Sequence, residues 1–89
     1  MNRPPVKQLW IQRCIDVYRF HAEQLRNESG WTLEKTAEAL NRSTGSVSQD
    51  ILIAQWLRTH ETQIRRFKYM TDALKFVKSK KKESFLAGI

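Results

Sequence analysis

The chain has a single cysteine, Cys14, among its 89 residues, so no internal disulfide can form and no Cys/His cluster has metal-ligand spacing. No apolar run approaches the roughly 18–20 residues that span a bilayer, and the start MNRPPVK lacks the apolar stretch of a signal peptide. These absences point to a soluble protein in a reducing, cytoplasmic setting and away from the membrane. Catalysis needs a nucleophile or an acid–base pair held in a pocket, whereas Cys14, His21, His60 and the carboxylates show no supporting arrangement. An enzyme is therefore not expected, and neither is a cofactor or a bound metal. Internal repeats and strand-like alternation are also missing, which leaves the all-α class.

Separate hydrophobic cores need roughly 100–150 residues each, so the length allows one domain. A chain this short is marginal alone, and a partner subunit or DNA would add to its stability. Its 16 Lys and Arg against 9 Asp and Glu give a formal charge of +7, a balance that favours polyanions such as nucleic acid or an anionic membrane. The excess is localised. Met1 to Glu61 carry 8 basic and 7 acidic residues, whereas Thr62 to Ile89 carry 8 basic residues and only Asp72 and Glu83 as acids.

Pro4 and Pro5 suit the start of a helix, and nothing from Val6 to Glu28 would break one. Val6, Trp10, Cys14, Val17, His21 and Leu25 recur at steps of three and four, with Leu9, Ile11, Ile15 and Tyr18 beside them. Such a wide stripe implies more than one neighbour. Gly30 can take the left-handed conformation that follows a helix end. Thr32 caps a short second helix from Leu33 to Leu40, Asn41 tolerates the left-handed backbone of a tight turn, and Ser43 caps a third helix from Thr44 to about Thr59. Thr71 caps a last helix whose Ala73, Leu74, Phe76 and Val77 face inward. Residues 1–77 form the domain in this reading, and 78–89 a basic, flexible tail.

A helix-turn-helix requires a small residue where its helices cross, apolar anchors at the turn and a polar face on the second helix. Ala37, then Leu40 with Val47, then Thr44, Ser46, Ser48 and Gln49 meet these requirements, with Ile51 and Ala54 continuing the buried side. The stretch WTLEKTAEALNRSTGSVSQDILIAQWL resembles the helix-turn-helix of the ParB and KorB partition-protein family, in Thr32, Ala37, Leu40, Arg42, Ser43, Val47, Ser48, Ile51, Ile53, Ala54 and Leu57. It is similar also to small phage and plasmid proteins built on that motif, in which a segment like MTDALKFVK follows. The resemblance covers Trp31 to about Val77. It implies sequence-specific binding of double-stranded DNA by the helix beginning at Ser43, within a motif of about Leu33 to Arg58, in a bacterial or phage-infected cell. Asn41 stands where the family often has Gly. The nucleotide-binding region of full partition proteins has no counterpart, so nucleotide-driven clamp loading is not implied.

The expected DNA contacts are Lys35, Arg42, Ser43, Thr44, Gly45, Ser46, Ser48 and Gln49 around the motif, and Arg65, Arg66, Lys68, Lys78, Lys80, Lys81 and Lys82 beyond it. The later lysines would add sequence-independent, salt-dependent affinity. Leu52 and Trp56, four residues apart, make a ridge. The preferred reading has the first helix packing over it; the alternative is a self-association surface that builds a homodimer or larger homo-oligomer. His21 is expected as a helix contact and His60 on the surface. The terminal Phe85, Leu86 and Ile89 offer either a weak membrane contact or a peptide that docks on a partner protein. A regulator or a partition or packaging adaptor is the leading expectation. A terminase-like ring subunit and a basic RNA- or membrane-associated protein are the alternatives.

Overall fold

The apolar spacing of the chain resolves into helices throughout the computed structural model, which describes residues 9–87, with side-chain burial described through residue 83. Among them are four helices, α1 (Leu9–Asn27), α2 (Leu33–Ala39), α3 (Thr44–Arg65) and α4 (Met70–Ala87), and no strand. The expected helix start at Pro4 and Pro5, and Val6 of the first stripe, lie outside the described residues.

The wide stripe of α1 contributes to two buried clusters, which together give it more than one neighbour, as its width requires. Trp10, Ile11 and Cys14 join Ile53, Ala54, Leu57 and Ile64 of α3 and Ala73 and Val77 of α4 in the larger buried cluster. Val17, one turn further along, meets Ala37 and Val47 in a second cluster with Leu33, Leu40 and Ile51 around it. Full burial of a side chain such as Val47 or Ile53 contributes about 1.5–3 kcal/mol, so these clusters carry the fold. Leu25 does not extend the buried stripe; it is half exposed.

Local chemistry sets the turns. Gly30 takes φ +80 after α1, and Thr32 caps α2 by accepting the Lys35 N–H at 3.3 Å. The α2 end is a Schellman motif. Asn41 has φ 55, its N–H donates to the Glu38 carbonyl at 3.1 Å, and the Arg42 N–H donates to the Ala37 carbonyl at 2.9 Å. Ser43 then caps α3 by accepting the Ser46 N–H at 3.1 Å. The turn thus satisfies backbone groups at both helix ends.

The last two helices differ in extent from the sequence expectation. The third helix continues past Thr59 to Arg65, and the expected end survives as a kink at His60 (φ −127, ψ 34). His60 is not a free surface residue: its ring stacks 4.7 Å from Trp56 and meets Phe76 of α4 at 6.2 Å. The ridge of Leu52 and Trp56 is packed against the larger cluster, to which α1 contributes Trp10, Ile11 and Cys14, and the Trp56 ring is linked through His60 to Phe76 of α4. The fourth helix, α4, starts at Met70, before Thr71, and stays helical through Ala87 instead of fraying at Lys78. Lys and Glu are good helix formers and Ser is tolerated in a helix interior. High charge kept this segment out of the core without unwinding it. Its apolar Phe85 and Leu86 have side chains outside those described, as does Ile89 altogether. No helix of the described residues is long and apolar enough to cross a membrane.

Candidate nucleic-acid interface

The first two turns of α3 have opposite sides of contrasting character. Val47 and Asp50 are completely buried, whereas Thr44, Gly45, Ser48 and Gln49 are exposed. A Cβ added at Gly45 would meet nothing within 4 Å, so the approach to this end of the helix is open. Ser43 and Ser46 are partly committed to the helix itself, since the Ser43 hydroxyl donates to Ser46 Oγ at 2.9 Å besides accepting the capping N–H.

A buried ion cluster fixes the orientation of this face. Asp50 lies three residues after Val47 and four before Ala54, on the apolar side of α3, and a carboxylate there requires counter-charge. Arg42, from the turn, bonds Asp50 Oδ2 through Nη1. Arg13, from α1, reaches the same carboxylate through Nε at 3.2 Å and Nη2 at 3.3 Å. The Cys14 thiol lies 3.6 Å from Asp50 Oδ1. Burial first, and then the negative charge of Asp50, push this thiol from 9.0 up to about 12, against the opposing pull of Arg13. The thiol is therefore a protonated donor at neutral pH.

A second polar tie joins α1 to α2. Trp31 Nε1 donates to the buried Thr36 hydroxyl at 2.7 Å, and the same oxygen is 2.6 Å from His21 Nδ1. His21 is the helix contact its place on the stripe suggests. Trp10 Nε1 donates to the Lys68 carbonyl at 3.0 Å, which holds the α3–α4 turn against the start of α1.

The expected contact residues fall into four groups. Arg42 to Gln49 are brought together by the turn, but Arg42 is drawn inward to Asp50 and is a structural cation rather than a free one. Lys35 is exposed on α2, with Nζ 5.9 Å from the Trp31 ring centre. Arg65, Arg66 and Lys68 sit at the α3–α4 junction: Arg65 pairs with Glu61 at 2.8 Å, and Lys68 lies 5.5 Å from the Tyr69 ring centre. Lys78, Lys80, Lys81 and Lys82 are exposed along α4, where Lys80 pairs with Glu83 at 3.3 Å.

Arg13 and Asp50 were not among the expected site residues, although the signal was present: an acidic residue in step with Val47 and Ala54 is a buried charge in need of a partner. Among the described residues no group of three or more His, Cys, Asp or Glu is placed to hold a metal ion. No protein-family model matches the chain, and neither a curated protein nor a solved structure does.

Proposed function

We propose that the chain binds double-stranded DNA with sequence preference through a helix-turn-helix made by α2 and α3, in the manner of the ParB and KorB family that this stretch resembles. The observation that carries the reading is the exposed hydroxyl and amide face of Thr44, Ser48 and Gln49, on a helix whose opposite side is locked by Val47 and the Asp50 cluster. An α-helix fits the major groove, where an amide pairs with adenine N6 and N7 and hydroxyls bond to base edges or phosphates. Rigid support matters because base readout depends on side chains held in register. Exposed lysines on α4 supply counterion-release affinity for any duplex. The chain then acts as a regulator or as a partition or packaging adaptor that brings other components to a DNA site, a role that needs no catalytic group.

Selection of bound sequences from a random duplex pool, followed by titration of the enriched duplex against a scrambled one, tests the proposal. A recurring sequence bound far more tightly than its scramble is expected. Failure to enrich any sequence, with equal affinity for single strands, would reject duplex readout by α3.

A further inference from the structure

The side of the α1–α3 pair that lies beyond the ion cluster carries a groove of about 300 Å³, open to solvent. Ile15 and Tyr18 of α1 and Ala54 and Leu57 of α3 form its apolar floor. Arg19, Arg58 and Arg65 stand on its rim with one acid, Glu61, already paired with Arg65. Arg19 and Arg58 are exposed, and among the described residues neither has an ion-pair or hydrogen-bond partner. Two uncommitted cations beside an apolar floor are an electrostatic preference without an internal solution.

We infer that this groove docks an acidic amphipathic helix of a partner protein. On each wall the apolar residues are three apart in sequence, one helical turn, and such walls accept the i, i+3, i+4 anchors of an amphipathic helix. A small-molecule site encloses most of its ligand, which an open groove does not. Charge decides among protein occupants. A second copy of this chain brings a formal +7, and the chain's own ends bring Arg3 and Lys7 or the run from Lys78 to Lys82, all of the same sign as the rim. Acidic side chains flanking apolar anchors complement it, steering encounter and selecting the partner. Arg58 is ten residues past Ser48 on α3, about 15 Å along the axis, so the groove and the exposed α3 N-terminus are separate surfaces. The inference does not depend on what α3 binds.

The test is fluorescence anisotropy with the whole chain and a labelled designed peptide about four helical turns long, with Leu anchors at i, i+3, i+4 and i+7 and Glu flanking them. One control peptide replaces Glu by Gln and another replaces Leu by Ser. The parent peptide is expected to bind, each control about tenfold or more weaker, and R19E/R58E to weaken the parent by about tenfold, or about 1.4 kcal/mol. Amide shifts at Tyr18 and Leu57 should follow the titration. Both arginines are exposed, and circular dichroism checks that the variant is folded; R19Q/R58Q serves if it is not. Equal binding of the serine peptide would mean charge attraction without a groove and overturns the proposal. So does unchanged binding by both arginine variants. Loss of duplex DNA affinity in those variants, with peptide binding intact, would reassign the rim to phosphates. A concentration-dependent dimer abolished by them would reassign it to a second copy.

Discussion

Removing the cations around Asp50 one at a time and then together should reveal a non-additive loss of stability. Asp50 is 0% exposed, whereas the side chains of Arg13 and Arg42 are 45% and 27% exposed. Arg13→Ala leaves Arg42 on the carboxylate, and the broken pair is screened by solvent on its arginine side, so about 1 kcal/mol is expected. Arg42→Ala removes the more buried cation but leaves the Arg13 fork, for about 1–2 kcal/mol. The double variant leaves a buried carboxylate facing only the Cys14 thiol, which should cost about 3–5 kcal/mol. Coupling of about 1–2 kcal/mol is thus predicted, well above the scatter of independent sites. For a domain of this size each kcal/mol moves Tm by about 4–8 °C, and urea unfolding followed by far-UV circular dichroism measures the cycle directly. Adding Asp50→Asn to the double variant should restore stability, because the amide carries no charge to desolvate. An additive cycle, or no rescue by Asn, would refute the argument that Asp50 is a buried charge held by two arginines.

Three further outcomes are expected. Ser48→Ala or Gln49→Ala should cost about 1–3 kcal/mol on the selected duplex and little on random DNA; equal losses on both would mean that these side chains do not read bases. Lys78, Lys81 and Lys82 changed together to Gln should reduce affinity for both duplexes and shrink the slope of log affinity against log salt by up to about 0.9 for each phosphate no longer neutralised, with the ratio between the duplexes preserved. An unchanged slope takes α4 out of the DNA interface. Cys14 is raised from 9.0 to about 12, so between those values the native state holds a proton that the unfolded chain has released. Its contribution is fully present below pH 9 and is lost as pH rises toward 12. Urea midpoints measured at rising alkaline pH should therefore fall more steeply in the wild type than in Cys14→Ala, and parallel curves would contradict the burial of the thiol.

The helices and their turns were legible because their causes are local. Thr32, Asn41 and Ser43 carry their capping and turn preferences wherever they stand, and the three-and-four spacing of Trp10, Cys14 and Val17 marks a buried stripe without reference to what covers it. The same is true of Ala37, Leu40 and Val47, whose placement at the α2–α3 crossing follows from spacing alone. What the sequence could not assign was the partner of each group. Arg42 looked like a free cation beside a polar helix face, but the turn folds it back against α3, where it becomes a counter-charge of Asp50 eight residues on. His60 looked like surface until α4 brought Phe76 to it, and its ring stacking accompanies the kink in α3 where a helix end was expected. The helical run past Lys78 depends on backbone continuity from the anchored Ala73 and Val77, which charge density by itself does not report. Composition and periodicity, being properties of short segments, determined the all-α class and most element boundaries. The pairing of Arg13 with Asp50, and the groove between α1 and α3, were decided by tertiary structure, because each joins residues far apart in the chain whose meeting depends on how the helices cross.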